Sequence, residues 1–140
     1  MSGPLLLLHP DPDSASPRLL RALEACLSAT SAELVTDLET LSCARDRRIL
    51  FVMSVDANGY SPGYCALLRW LSGAGENALA NSVAGLVVDG AGELHTKALA
   101  RDAAFLANQA GCAFVGRPLA EATGSLKNHE IMARQWGIPL

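Results

Sequence analysis

Nearly continuous apolar runs alternate along this chain with stretches that are apolar at helical spacing. "LLLL" (Leu5 to Leu8, leading into His9), "ILFVMSV" (Ile49 to Val55), "SVAGLVVDG" (Ser82 to Gly90) and "CAFVG" (Cys112 to Gly116) are of the first kind. A strand covered on both faces gives such a run, whereas a strand with one wet face alternates. "AELVTDL" (Ala32 to Leu38) is short and predicts a further strand. Between the strands, "SPRLLRALEACLSA" predicts a helix with Ser16 as N-cap and Pro17 at its first position, its apolar face formed by Leu19, Leu20, Leu23 and Leu27. "GYCALLRWLSG" from Gly63 predicts a second helix, closing in the loop "GAGEN". "HTKALARDAAFLANQAG" from His95 is Ala-rich, repeats apolar positions through Leu94, Ala98 and Phe105 (with Arg101 and Asp102 between), and ends on Gly111 as a C-terminal glycine cap. "AGEL" ahead of it reads as a small turn. The tail after Gly116 predicts one short helix at most, near His129 to Trp136.

The order is βαββαβαβ with a short final helix. It predicts an α/β domain with an open parallel sheet between two layers of helices, covering residues 1–140 as one unit. With 140 residues, half of them hydrophobic and 18% charged, the chain has ample material for one core. Its net charge of -3 and single short basic cluster, "RDRR" at Arg45 to Arg48, argue against a nucleic-acid partner. "LLLL" is far too short for a membrane span and carries no leader signature, so a cytoplasmic protein is expected. Cys26, Cys43, Cys65 and Cys112 are widely spaced and read as small apolar residues, with no metal site expected.

In a parallel sheet, right-handed crossovers bring the carboxyl ends of the strands to one edge, and ligands bind beyond that edge. Three loops of this chain are expected there: "HPDPDSAS" with His9, Ser14 and Ser16; "DANGYSPG" with Asp56, Ala57, Asn58, Gly59 and Tyr60; and "DGAGEL" with Asp89, Gly90, Ala91 and Gly92. Taken singly, each glycine also suits an ordinary turn, each serine a helix cap, and Asp89 a turn cap. His95, at a helix start, reads as a surface or capping residue. A hydrolase is not expected, because no G-x-S-x-G elbow is present and no histidine at a strand end has a carboxylate in an expected place.

The segment "NGYSPG" (Asn58 to Gly63), followed by an apolar helix ending "RWL", resembles the P-x-Y-N-x-x-x-P-G-x-L-K-x-x-x-D-W loop of the NADPH-dependent FMN reductases, a family of the flavodoxin-like superfamily. "SAS" before "PRLL" takes the place of that family's S-x-R-x-x-S-x-S-x-x-L, and "LVVDGAGEL" that of its third flavin loop. The resemblance spans Leu5 to Gly116. It implies a flavodoxin-like three-layer sandwich that binds FMN and oxidises NADPH or NADH to reduce a small-molecule acceptor. Ser14 and Ser16 would meet the FMN phosphate, Ala57, Asn58 and Gly59 would run along the isoalloxazine ring, and Asp89 to Glu93 would close its other edge. It also implies a homo-oligomer, since such reductases commonly dimerise through the helices beside the flavin.

The sequence departs from the family in places. Asp11 and Asp13 stand where the family has Arg and Gly, and each carboxylate close to a phosphate is opposed by about 1 kcal/mol even in a water-like dielectric. Val55 replaces the family's Pro, Ala57 its stacking Tyr, and the helix lacks its Lys and Asp; Tyr60 or Tyr64 could supply a ring instead. These departures keep open a second reading, a flavodoxin-like domain without flavin that serves as a binding or assembly module. "GRPLAEATGSLKN", with Arg117, Lys127 and Asn128, reads as a lid, a dimer contact or a solvated connection.

Overall fold

The computed structural model describes residues 3–90, 93–114 and 119–122. Strands β1 (Leu5–Leu8), β2 (Ala32–Val35), β3 (Arg48–Val55), β4 (Val83–Gly90), β5 (Ala113–Phe114) and β6 (Leu119–Ala122) alternate with helices α1 (Pro17–Ala29), α2 (Pro62–Ala74) and α3 (Glu93–Gln109). Every strand pairing among the described residues is parallel, in the order β2-β1-β3-β4. Both β5 and β6 lie along the outer side of β4. Val83 is level with Ala113 and Val87 with Leu119, so four steps along β4 match six along its neighbour.

This is the flavodoxin-like order, with the chain reversing its winding between β1 and β3. The helices take both faces. Leu6, Leu8, Ile49, Phe51, Met53, Leu86 and Val88 pack under Leu67 and Trp70 of α2 and under Leu99, Ala103 and Ala107 of α3. Leu7, Leu50, Val52 and Val87, the alternate positions, pack under Leu19, Leu23 and Cys26 of α1. No helix among the described residues is long and apolar enough to cross a membrane.

The expected elements form close to where the pattern places them, with instructive exceptions. β2 stops at Val35, because Asp37 starts a 3₁₀ turn at Leu38–Thr40 by accepting from Glu39 N. Glu93 and Leu94 belong to the first turn of α3 rather than to a loop. The apolar stripe read through Leu94 and Phe105 faces water, at 79% and 63% exposure, and the buried stripe is Thr96, Leu99, Ala100, Ala103 and Ala107. Leu20 of α1 is likewise exposed, while Cys26 takes the core position. The tail contributes a strand, β6, where at most a helix was expected; the helix near His129 to Trp136 lies outside the described residues, as do Arg117, Lys127 and Asn128.

Candidate functional site

Helix α1 begins as its sequence dictates. Ser16 is the N-cap, its Oγ accepts from Leu19 N at 3.2 Å, and Pro17 fills the first helical position. The same Oγ donates to Asp89 Oδ2 at 2.7 Å, tying the helix start to the carboxyl end of β4. Arg18 completes the arrangement: its Nε donates to Asp89 Oδ1 at 3.0 Å, and its Nη2 donates to the same oxygen. The two side chains are 15% and 9% exposed. A carboxylate thus sits at the N-terminus of α1, held by a hydroxyl, a guanidinium and the positive end of the helix dipole.

Elsewhere along the carboxyl edge of the sheet are buried polar atoms that find no partner in the protein. Ser54 is paired in register with Asp89, and alternation places both on the α1 face of the sheet, beyond Val52 and Val87. His9 follows Leu7 by two positions and continues the ladder by donating its N–H to Val35 O. His9 Nε2, Ser54 Oγ and Asp11 Oδ2 are all buried without a hydrogen bond. Such atoms are uncommon in native interiors, and each one left without a partner costs about 1–3 kcal/mol. Burial lowers the His9 pKa, and the nearby Asp11 carboxylate opposes this only in part, which leaves a neutral imidazole at neutral pH.

The loop after β3 is a closed turn. Asp56 Oδ1 accepts from Asn58 N and Tyr60 N, both at 2.9 Å, while Asp56 N donates to Tyr60 O and Gly59 N to Asp56 O. Gly59 has φ +86°, and a Cβ there would lie 2.9 Å from His95 Nδ1 and 3.2 Å from His95 Cγ. The flat ring that Gly59 admits in this structure is therefore the imidazole of α3's first turn. Gly90 is more tightly bound still: a Cβ would meet Thr96 Oγ1 at 1.9 Å and Val55 Cγ1 at 2.5 Å. At Gly63, by the start of α2, an added Cβ would come into ordinary contact with Pro10 and Asp11.

The sequence candidates are thus divided. Ser16 and Asp89 come together at the start of α1, and His9 is buried at the end of β1, two strands away from Asp89. Asp56 is spent on its own loop, with Ala57, Asn58 and Tyr60 exposed around it and Gly59 under His95. Ser14 is exposed in the 3₁₀ turn Pro12–Ser14, where its N–H donates to Asp11 O. Gly90 closes against Thr96, and Ala91 and Gly92 lie outside the described residues. Sequence reading passed over Arg18 and Ser54. Both left a signal: a cation in the first turn of a helix opposes the dipole unless an anion is near, and Ser54 is the polar interruption of an otherwise apolar strand. The cleft of about 600 Å³ lined by Leu71, Gly75, Asn77, Leu106 and Gln109 lies at the far ends of α2 and α3 and shares none of these groups.

As chemistry, the α1 corner suits an anion, because it already seats one. A phosphate brought to this corner would meet the same donors, Ser16 and Arg18, and would have to displace Asp89 from them, while Ala57, Asn58 and Tyr60 are exposed in the loop after β3. No group of His, Cys, Asp or Glu among the described residues has the arrangement of a metal site. No protein-family profile matches the chain, and no curated protein matches it either.

Proposed function

We propose that this chain binds a flavin, FMN, at the carboxyl edge of its sheet, and that it passes electrons from NADPH or NADH to a small acceptor, as a cytoplasmic enzyme acting in pairs of like chains. The observation that carries this reading is the seating of the Asp89 carboxylate on Ser16 and Arg18. It supports an anion-holding corner at the start of α1, beside the point where the winding of the sheet reverses and where ligands of such sheets bind. Ser16 and Arg18, with Asp89 between them, would stand at the phosphate end of the flavin; Ala57, Asn58 and Gly59 would flank the ring, and Tyr60, exposed beside them, would offer a stacking face. The flavin itself supplies the hydride chemistry when bound. The protein's part is to orient it, and the neutral His9 offers an uncharged hydrogen-bonding group at the end of β1.

A second reading is favoured by the same contact. Because Asp89 already fills the corner, the domain is complete without a cofactor, as a binding or assembly module would be. An absorbance spectrum of the purified protein, before and after incubation with FMN and gel filtration, separates the two. Flavin bands that travel with the protein support the first reading and call for an assay of NADPH and NADH oxidation. A colourless protein that leaves FMN behind supports the second.

A further inference from the structure

We infer that Asp89 is an internal anion that competes with a ligand's phosphate for Ser16 and Arg18, and so sets whether the site favours phosphorylated or unphosphorylated ligands. The identity of the ligand rests on the flavin reading above; the competition itself rests on the corner. Both oxygens of Asp89 are engaged, Oδ1 by Arg18 and Oδ2 by Ser16, whose own oxygen accepts from Leu19 N. The Ser16 hydroxyl and the Arg18 Nε and Nη2 groups, donors that a phosphate at this helix start would use, are already turned to Asp89. The carboxylate also lacks a retreat. It is side by side with the buried Ser54, and the next residue, Gly90, is locked between Thr96 and Val55.

A phosphate that took Arg18 and Ser16 would leave Asp89 buried, charged and unpaired beside a dianion, which is the least favourable state of such a pair. The groups left without partners along this edge, His9 Nε2 and Ser54 Oγ, belong to residues that are 2% and 6% exposed, and both are uncharged. They suit hydroxyl or amide groups of a ligand better than a phosphate. FMN is therefore expected to draw no benefit from its phosphate in the native chain.

The test measures dissociation constants of riboflavin and FMN for the full chain and for Asp89→Asn, which keeps the shape and a hydrogen bond to Ser16 while removing the charge. In the native chain the two flavins are expected to bind equally. In Asp89→Asn, FMN is expected to bind about tenfold more tightly, the scale of one or two charge-assisted hydrogen bonds, with riboflavin unchanged. FMN binding the native chain about tenfold better than riboflavin, or a ratio that the substitution leaves alone, would overturn the inference. Inorganic phosphate serves as a probe that needs no flavin: it is expected to raise the melting temperature of Asp89→Asn and not that of the native chain. If neither flavin binds either protein, the flavin reading fails, and the phosphate comparison alone decides the role of Asp89. Should Asp89→Asn not fold, Asp89→Ser takes its place in each comparison.

Discussion

Ser16 and Asp89 are separated by 73 residues of chain, yet the hydroxyl of one donates to the carboxylate of the other at 2.7 Å while capping its own helix. One side chain thereby joins a helix start to a strand end, and Arg18 neutralises the junction. Removing Arg18 leaves a nearly buried carboxylate without its cation, so Arg18→Ala is expected to lower stability by about 3 kcal/mol. Ser16→Ala loses a cap and one hydrogen bond and is expected to cost about 1–2 kcal/mol. Urea unfolding of both variants checks the order; equal and small losses would show that the junction does not hold the fold.

Gly90 has room for no side chain. A methyl group at its Cα would stand 1.9 Å from Thr96 Oγ1 and 2.5 Å from Val55 Cγ1, so Gly90→Ala must displace both neighbours. A loss of about 1–3 kcal/mol is expected. Adding Thr96→Ala should restore only part of it, because Val55 remains in the way. Thermal melts of the single and double variants test this, and full restoration would exclude Val55 as a barrier.

The pH dependence of stability has a definite sign at His9. Its folded pKa is depressed below the ordinary 6.5 by burial. Below 6.5 the unfolded chain takes up a proton that the folded chain resists, so stability is full above that pH and falls as the pH drops toward the folded value. His9→Gln is expected to flatten this part of the profile. Urea midpoints at mildly acidic and neutral pH provide the measurement, and an unchanged slope would mean that His9 does not titrate differently on folding.

On α3, residue size and energetic weight run opposite. Phe105 is 63% exposed, and Phe105→Ser is expected to change stability by no more than about 0.5 kcal/mol. Leu99 is buried, and Leu99→Ala is expected to cost about 2–4 kcal/mol. A large loss at Phe105 would show that its face is covered.

Thiol chemistry offers an independent check on burial. Cys112 has its pKa pushed up to about 12, and Cys26 is raised as well, both by burial, whereas Cys65 is exposed. Alkylation of the native protein near pH 8 is expected to label Cys65 first and to spare Cys26 and Cys112 until the chain unfolds. Mass analysis of the peptides reads this directly, and early labelling of Cys112 would contradict its burial.

These α3 and cysteine positions also show where sequence reading succeeds and where it stops. The strands were legible because a parallel sheet covered on both faces selects apolar residues at consecutive steps, as in Ile49 to Met53. Helix α1 was legible at its start, where Ser16 and Pro17 carry local chemistry. The buried side of α3 was not, since close approach to the sheet selects Ala100, Ala103 and Ala107, and these small residues give weaker contrast than the exposed Leu94 and Phe105. The carboxyl edge of the sheet could be foreseen as where the loops carrying Ser16 and Asp89 end. Their partnership could not, because it depends on a register between segments more than seventy residues apart. β6 escaped notice for a different reason: its sequence, "LAEA", is short and carries no β-branched residue.

The turn at Asp56 bears on how fast anything binds at this edge. A single carboxylate oxygen fixes Asn58 N and Tyr60 N, and two backbone hydrogen bonds close the same five residues. The loop's shape is thus set by the chain's own groups before any encounter. A molecule arriving there has no ordering entropy to supply for these residues, and its association is expected to follow a single exponential whose rate rises linearly with concentration, without the plateau that a slow loop rearrangement would impose.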